Sequence, residues 1–185
     1  MADNEGKNKN NDSLEERLRD PSQVRSAFGE LIDRYTEPLY WQIRRLVTDH
    51  DDANDILQNT FMKAWSNIEN FRGEAKLSTW LHKIAINESL SFLEKEKRRT
   101  AVGLDSGEAG AVPADEYFDG DELAANLRRA VDALPEKQKL IFNMKYFDDM
   151  KYEQISEILG TTVGALKASY HAATKKIEQF FKDLG

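Results

Sequence analysis

The chain has 185 residues and a formal net charge of −7, a size that accommodates one or two small domains. It contains no cysteine, which excludes disulfide bonds, thiolate metal sites and thiol switches. No apolar run approaches the roughly 20 residues needed to cross a bilayer, and the polar N-terminus lacks the apolar segment of a signal peptide. We therefore expect a cytoplasmic protein that does not insert into a membrane.

Acidic and basic residues are unevenly distributed along the chain. Residues 100–126 contain seven Asp or Glu and no Lys or Arg, whereas residues 28–99 contain eleven basic against twelve acidic residues. Residues 127–185 contain ten basic against eight acidic residues. The stretch between the two blocks therefore supplies most of the negative excess, and the near-neutral blocks stay compatible with binding nucleic acid.

With four prolines, ten glycines and few alternating β-branched runs, the sequence predicts an all-α fold. Residues 1–22 are poor in apolar groups, so we expect a disordered lead-in, with at most a helical turn near Leu14–Leu18. A small helical bundle is expected over residues 23–99 and a second helical domain over residues 123–185. Residues 100–122, punctuated by four glycines and one proline, are predicted to form a flexible acidic linker.

The helical period of the first domain begins at Phe28. We expect the tripeptide Thr36-Glu37-Pro38 to end this helix, because proline has no N–H group to donate inside a helix. A second helix then starts at Leu39. Residues 48–51 are predicted to form a polar turn before the third helix.

Residues 52–65, with the sequence DANDILQNTFMKAW, form an amphipathic helix with acidic residues near its start, where the helix dipole favours them. Its apolar face is expected to be buried, and Trp65 is assigned to the core. The opposite, polar face consists of Asp52, Asp55, Gln58, Asn59 and Met62. Taken alone, such a face is most often simply solvated.

Residues 71–76 form a loop with one glycine and two cations. Ser78 or Thr79 is expected to cap the next helix, because a short hydroxyl side chain can accept hydrogen bonds from the first turn. On that helix, one face distinct from the buried stripe contains Trp80, Lys83, Asn87 and Ser91. The helix ends in a basic cluster at residues 95–99, which dipole complementarity and solubility alone would explain.

In the second domain, one helix stops before Pro135 and another is expected over residues 139–147. Residues 152–159, a turn opening with Gly160, and residues 163–181 match the helix-turn-helix pattern. One face of the last helix is small and basic and contains Gly164, Lys167, Ala168, His171 and Lys175. Small residues allow close approach to base edges and cations can meet phosphates, although an ordinary helical hairpin has the same spacing.

The order and spacing of these segments resemble the small extracytoplasmic-function sigma factors of bacterial RNA polymerase, which belong to the sigma-70 family. Residues 52–65 are similar to the core-binding segment of region 2 in that family. The segments FRGE at 71–74 and STWLHKIAIN at 78–87 are similar to its promoter-melting and −10-reading parts.

The second half of the chain continues the resemblance. LPEKQ at 134–138 and YEQISEILG at 152–160 look like the start of region 4, and TVGALKA at 162–168 looks like its −35-reading helix. The similarity covers about residues 25–182. No single segment is specific by itself, but their order and spacing together are.

The resemblance implies a role in transcription initiation without enzymatic activity, cofactor or metal. The polar face of residues 52–65 would bind the β′ coiled coil of core RNA polymerase, and the second domain would meet the β flap. The acidic linker would lie in a basic channel of the polymerase, where its charge mimics nucleic acid. An anti-sigma factor is a further implied partner.

The resemblance also implies two sets of contacts to promoter DNA. The −10 set comprises Arg72, Lys76, Ser78, Thr79, Trp80, Lys83, Asn87 and Ser91. The −35 set comprises Lys145, Thr162, Val163, Gly164, Ala165, Lys167, Ala168, His171 and Lys175.

Two other interpretations stay open at this point. A helix-turn-helix repressor or activator would bind duplex DNA without polymerase, usually as a dimer on a palindrome, and a scaffold would not bind nucleic acid at all. The sequence Tyr146-Phe147-Asp148-Asp149 is similar to the metal-binding aspartate pair of reverse transcriptases, but it lies between predicted helices and not on a hairpin. The three histidines have no metal-ligand spacing.

Overall fold

The computed structural model describes residues 14–47, 49–71, 73, 75–101 and 122–184. Within these residues all regular secondary structure is helical, which confirms the all-α prediction. None of the described helices combines the length and the apolar character of a membrane-spanning helix. The chain divides into two compact units, one within residues 1–105 and one within residues 106–185. Each unit is described by itself.

The described part of the first unit is a helical bundle. Its elements are α1 (residues 14–19), α2 (Val24–Arg44), α3 (His50–Ser66), a 3₁₀ turn (Ile68–Asn70) and α4 (Leu77–Ala101). The helices α2, α3 and α4 pack against one another around fully buried aliphatic side chains, which include Leu31, Leu39, Ile43, Leu77 and Leu81. Burying each such side chain stabilises the fold by about 1.5–3 kcal/mol, so these stripes fix how α3 and α4 present their polar faces.

The lead-in predicted as disordered over residues 1–22 is wrong from Leu14 onwards, where the turn expected near Leu14–Leu18 is a packed helix. Residues 14–19 are helical, and Leu14 and Leu18 are only 1% and 3% exposed because they pack in the core of the first unit. Two leucines four residues apart lie on the same face of a helix. The polar composition around them gave no indication of their burial, and the first domain therefore extends at least to Leu14.

Helix α2 runs through Pro38, where a break was predicted. The buried stripe continues on both sides, with Tyr35 before the proline and Leu39 after it, whereas Pro38 itself is exposed. The Thr36 hydroxyl donates to the Ile32 carbonyl oxygen at 2.7 Å. Burial of the stripe therefore outweighs the roughly 3 kcal/mol that an interior proline costs.

Helix α3 begins at His50, two residues before its predicted start. Asp49 is the N-cap residue, and its carboxylate accepts hydrogen bonds from the N–H groups of Asp52 at 3.1 Å and Asp51 at 2.8 Å. These bonds lower the pKa of the Asp49 carboxyl group and hold the first turn of the helix.

The first turn of α4 is capped from a distant part of the chain. The N–H group of Leu77 donates to Oε1 of Glu15, at 2.9 Å, and the carboxylate suits the positive end of the helix dipole. Ser78 and Thr79, which were predicted to cap this helix, instead lie inside it.

The second unit is also a helical bundle within residues 122–184. Its elements are α5 (Glu122–Asp132), α6 (Glu136–Phe142), a π-helical continuation (Asn143–Phe147), α7 (Tyr152–Leu159) and α8 (Val163–Leu184). Helix α8 packs against α5, α6 and α7, and the shared core includes Ala130, Val131, Leu134, Phe142, Ala173 and Ile177. Helix α6 starts three residues before its predicted start, directly after Pro135, whose fixed φ suits a helix beginning.

Candidate polymerase and DNA interfaces

The polar face of α3 is open to solvent. Asp55, Gln58 and Asn59 are exposed, and Met62 has 66% of its surface exposed. A long thioether beside carboxamides and a carboxylate is a surface that can accept both apolar and basic groups of a partner helix. Four of the five residues predicted on this face are therefore exposed to solvent.

Asp52, the fifth predicted residue of this face, is half-buried. Burial raises the pKa of its carboxyl group, and the carboxylates of Asp49 and Glu96 raise it further. The ionised Asp52 carboxylate is therefore less stable in the folded protein than in water, which is an electrostatic cost to folding. A basic partner would relieve that cost.

Trp65, at the end of α3, was predicted in the core but is 42% exposed. Its ring meets the ring of Phe28 edge to face, with the centroids 4.9 Å apart. An indole is large enough to pack one side against α2 while the other side stays in solvent. The assignment of Trp65 to the core is therefore wrong, because its ring lies at the rim of the bundle.

An open pocket lies between the end of α3, the 3₁₀ turn and α4. Its volume is about 270 Å³, and it is lined by Lys63, Asn67, Asn70, Trp80, Ile84, Asn87 and Glu88. Trp80 and Ile84 provide apolar surface, and the three carboxamides provide hydrogen-bond donors and acceptors. An indole beside carboxamides suits a flat aromatic ligand with polar edges, such as an unstacked base.

The structure brings two of the predicted −10 residues, Trp80 and Asn87, to the lining of this pocket. Four others are at least partly exposed on α4 or just before it: Lys76, Ser78, Lys83 and Ser91. Arg72, the remaining cation of the predicted set, lies outside the described residues.

Thr79 was predicted to contact −10 DNA, and the structure contradicts this. Its side chain is only 3% exposed and faces the interior of the bundle, where its neighbours Leu77 and Leu81 are also buried. Successive residues of a helix point about 100° apart, so the face that presents Trp80 cannot also present Thr79. The prediction included a whole sequence segment without sorting its residues by helix face.

The other polar pocket residues were not predicted from the sequence. Lys63 on α3 forms an ion pair with Glu88 on α4, and the pairing exists only once the helices have packed. The Nδ2 group of Asn67 donates to the Lys63 carbonyl oxygen at 2.8 Å, which fixes this amide at the pocket edge. The two asparagines that follow the amphipathic helix, Asn67 and Asn70, are the sequence signal that could have indicated the amides of the pocket.

The helix-turn-helix of the second unit has the predicted boundaries at its turn. Helix α7 ends at Gly160, which has a left-handed φ of +61° that glycine adopts at low cost. The Thr162 hydroxyl oxygen accepts a hydrogen bond from the Ala165 N–H group at 3.3 Å and so caps α8. Leu166 is fully buried and fixes the rotation of α8 about its axis.

The small and basic face of α8 is exposed as predicted. Its exposed residues are Gly164, Lys167, Ala168, His171 and Lys175, and Thr162 and Ala165 are exposed beside them, whereas Val163 is half-buried. No heavy atom lies within 4 Å of where a Cβ atom of Gly164 would be. Packing inside the domain therefore does not require glycine at this position.

Lys145 is half-buried between α6 and α7. Its ammonium group donates to the Met150 carbonyl oxygen at 3.1 Å and lies 5.5 Å from the centre of the Tyr152 ring. The ammonium group of Lys167 lies 5.8 Å from the same ring. Burial raises the pKa of the Tyr152 hydroxyl group. A neutral aromatic ring therefore lies close to two cations, one of them on α8.

The sequence at 146–149 lies on the π-helical turn and the bend that follows it, where Asp149 has a φ of +48°. This is not the hairpin of a two-aspartate polymerase site. Among the described residues, no group of three or more His, Asp or Glu side chains is arranged to hold a metal ion.

Two family descriptions match the chain. Sigma-70 region 2 matches residues 31–99, which include the polar face of α3 and the pocket beside α4. Sigma-70, region 4 matches residues 124–177, which include α7, the turn and the exposed face of α8. The chain belongs to the sigma-70 family of sigma factors.

Curated relatives assign this sigma factor to the extracytoplasmic-function (ECF) class. It is similar to the ECF RNA polymerase sigma factor SigW of Bacillus subtilis, with 29% identity over 171 residues that span 85% of this chain and 90% of that protein. The RNA polymerase sigma-H factor of Pseudomonas aeruginosa is 28% identical over 174 residues, which span 85% of this chain and 88% of that protein.

Solved structures share the fold of this sigma factor. The sigma factor RpoE of Bartonella quintana, in complex with the anti-sigma factor NepR, has a TM-score of 0.69 and 24% identity over 84% of this chain and 96% of that chain. CnrH, in complex with the cytosolic domain of CnrY, has a TM-score of 0.70 and 19% identity over 94% and 97% of the two chains.

Membership of this class establishes the activity. This sigma factor binds core RNA polymerase and directs promoter-specific initiation of transcription. A helix-turn-helix repressor that acts without polymerase, which the sequence left open, is not favoured by these matches.

Proposed function

We propose that this sigma factor binds polymerase and promoter DNA through three surfaces: the polar face of α3, the pocket beside α4 and the exposed face of α8. The first two lie in the first unit, and the third lies in the second unit. The acidic residues of segment 100–122, which joins the units, complement a basic channel of the polymerase and mimic nucleic acid there.

The polar face of α3 binds the β′ coiled coil of core polymerase. Asp55 and the half-buried Asp52 supply negative charge, and Met62 supplies an exposed apolar contact at the other end of the face. The charged groups steer association, and burial of the apolar Met62 side chain against the partner provides affinity. Gln58 and Asn59 lie between them and provide hydrogen bonds that fix the register.

The −10 element is read at the pocket, and this pocket is the observation that supports the proposal most directly. An open cavity of about 270 Å³ with an indole on one wall and three carboxamides around it suits one unstacked base. Trp80 stacks on the base, and Asn87 bonds its edge. Lys76, Lys83 and Ser91 are exposed on α4 or just before it and contact the same strand outside the pocket.

The exposed face of α8 enters the major groove at the −35 element. Gly164 and Ala168 allow the helix backbone to come close to base edges, and Lys167 and Lys175 meet phosphates. Lys145 braces the turn between α6 and α7 through its bond to Met150. The remainder of the second unit contacts the β flap of the polymerase.

An anti-sigma factor regulates the protein in the cytoplasm, where core polymerase and promoter DNA are found. Two proteins that share its fold were solved with partners, RpoE with the anti-sigma factor NepR and CnrH with the cytosolic domain of CnrY. The exposed α3 face is the surface whose coverage would prevent polymerase binding.

A reconstituted transcription assay tests the proposal. Core polymerase and the purified protein are incubated with a pool of duplex DNA that is randomised around two elements, and the starts of the transcripts are mapped. We expect starts downstream of two dissimilar elements, and none without the protein. The selected promoter then supplies the DNA for all binding experiments below.

One combination of results would contradict the proposal. If core polymerase with the protein gives no specific start, while the protein alone binds a symmetric duplex site tightly, the division among the three surfaces is wrong. Duplex binding alone should be weak and strongly reduced by salt.

A further inference from the structure

Helix α1 lies outside both family matches, which begin at residues 31 and 124, yet it contacts both ends of the loop at residues 71–76. This loop leads from the 3₁₀ turn to the start of α4, and the pocket is lined by Asn70 before the loop and by Trp80 after it. A helix that contacts both ends of a loop restricts the loop's conformations.

At the first end of the loop, Arg19 lies against Phe71 and Gly73. Its guanidinium carbon is 5.8 Å from the centre of the Phe71 ring, within the range of a cation–π contact. A Cβ atom on Gly73 would come within 1.9 Å of the Arg19 Nη2 atom, so the guanidinium group packs directly on the loop backbone. The φ of Gly73 is +73°, a conformation that favours glycine.

This contact continues into the pocket. The Phe71 and Trp80 rings are 5.0 Å apart between centroids, and Trp80 lines the pocket. Arg19, Phe71 and Trp80 therefore form one continuous row of contacting groups. The Arg19 side chain is 46% exposed, and its ion pair with Glu15 is long, at 3.8 Å, so its positive charge is available to a ligand at the edge of the loop.

At the second end of the loop, Glu15 holds the start of α4. Its Oε1 accepts the hydrogen bond from the Leu77 N–H group at 2.9 Å, and its side chain is only 15% exposed. Because Trp80 lies one turn later on the same helix, the position of this first turn sets the position of the indole in the pocket.

We propose that α1 is a working part of the −10 site, in which Arg19 contacts a phosphate of the separated promoter strand and Glu15 positions the start of α4. The inference deepens the function proposed above and rests on it. Arg17, on the same helix, is outside this role because it pairs with Glu30 of α2 at 2.6 Å.

The test of Arg19 uses the polymerase holoenzyme and a fluorescent single-stranded oligonucleotide of the selected −10 element. Arg19→Ala should weaken binding by about three- to tenfold and lower the slope of log affinity against log salt by about 0.7, the value for one phosphate on a single strand. Arg19→Lys should restore the slope. Arg17→Ala removes the same charge from the same helix and should change neither quantity.

The outcomes separate the two proposals. If the wild-type holoenzyme neither starts transcription nor binds the oligonucleotide, the proposed function fails. If the wild type does both, but Arg19→Ala binds with the affinity and salt slope of Arg17→Ala, Arg19 is not a contact and this inference is overturned.

Glu15 is tested as a positioning residue by Glu15→Ala and Glu15→Gln. The alanine variant should bind the oligonucleotide less tightly, with an unchanged salt slope and unchanged affinity for core polymerase. The glutamine variant keeps an oxygen acceptor for the Leu77 N–H group and should recover most of the binding. Equal losses in core binding and −10 binding for Glu15→Ala would show a general structural role and would contradict the inference.

Discussion

The two DNA-reading surfaces differ in how they are joined to their hydrophobic cores. In the first unit, Trp80 lines the pocket and at the same time packs against Phe71 and the core. In the second unit, the exposed face of α8 is separate from the buried stripe that contains Leu166, Ala173 and Ile177.

The difference follows from what each site has to do. Holding an unstacked base requires a concave surface, and a concave surface on a bundle is built from side chains that also pack. Reading base edges in the major groove requires only a protruding helix. Substitutions at the pocket should therefore change stability and binding together, whereas removing an exposed side chain from α8 should change binding alone.

The largest effect is expected for Trp80→Ala. Removing the indole should lower the free energy of unfolding by about 2 kcal/mol, because most of its surface packs in the bundle. It should also remove about 1–3 kcal/mol of stacking on the base. Thermal unfolding and binding of the −10 oligonucleotide by the holoenzyme measure the two losses.

Trp41→Ala is the matched control for the pocket. Trp41 is 37% exposed on α2, where its ring contacts Tyr40 with centroids 5.3 Å apart. Its removal should destabilise the first unit without affecting −10 binding. Equal losses of −10 binding in the two variants would mean that the pocket has no specific role.

The α3 face tests whether this coupling belongs to the whole first unit or only to the pocket. Asp55 is exposed, so Asp55→Lys should change the free energy of unfolding by less than about 0.5 kcal/mol. It should weaken binding to core polymerase about tenfold, or about 1.4 kcal/mol. Asp33→Lys makes the same charge change on the exposed side of α2, and its affinity for core polymerase should match the wild type.

The sequence predicts those features of the fold that depend on residues close together in the chain, and it misses those that depend on packing between helices. The turn at Gly160 and the exposed face of α8 were predicted because periodicity and turn chemistry act over a few residues. The passage of α2 through Pro38 and the burial of Leu14 and Leu18 were not. Both depend on burial in the assembled bundle, which local preference does not report.

The pocket shows the same limit. Trp80 and Asn87 were predicted because they share one helix face, but Lys63 and Glu88 meet only when α3 packs on α4. Thr79 was wrongly included because the resemblance identifies a segment and not a helix face. Sites that combine several elements are therefore only partly visible in a sequence.

In the second unit, Lys167→Ala should separate binding from stability. Lys167 is exposed, so unfolding should be nearly unchanged, while affinity for the −35 duplex should fall about fivefold, or about 1 kcal/mol. The slope of log affinity against log salt should fall by about 0.9 for one lost phosphate contact. Lys176→Ala, an exposed cation on the opposite side of α8, is the control, and equal slopes for both variants would exclude Lys167 as a contact.

Gly164→Ala is a sharper test because the two effects should have opposite signs. The open space around this position admits a methyl group, so alanine should raise the free energy of unfolding by about 0.5 kcal/mol through helix propensity. The same methyl group should weaken −35 binding by obstructing the approach to base edges. Gly29→Ala, at an equally open helical position in α2, should stabilise without weakening −35 binding, and a −35 affinity of Gly164→Ala equal to the wild type would contradict close approach there.

The smallest effect is expected for Asp52→Asn, which tests whether the negative charge of Asp52 on the α3 face destabilises the folded protein. The pKa of Asp52 is raised by burial and by neighbouring carboxylates, so its charge lowers stability above the folded pKa and has no such effect well below the unfolded value of 3.8. Asn should therefore raise the free energy of unfolding by a few tenths of a kcal/mol at pH 7, and this gain should shrink as the pH falls towards 4.

Thermal unfolding of Asp52→Asn and Asp33→Asn across this pH range measures the difference, and binding to core polymerase should be weaker only for the former. A variant that is more stable but binds less tightly would show that the carboxylate is kept for the partner and not for the fold. A gain that is the same at pH 4 and pH 7 would mean that the stabilisation does not come from the charge. In that case the coupling of binding to stability would be confined to the pocket beside α4.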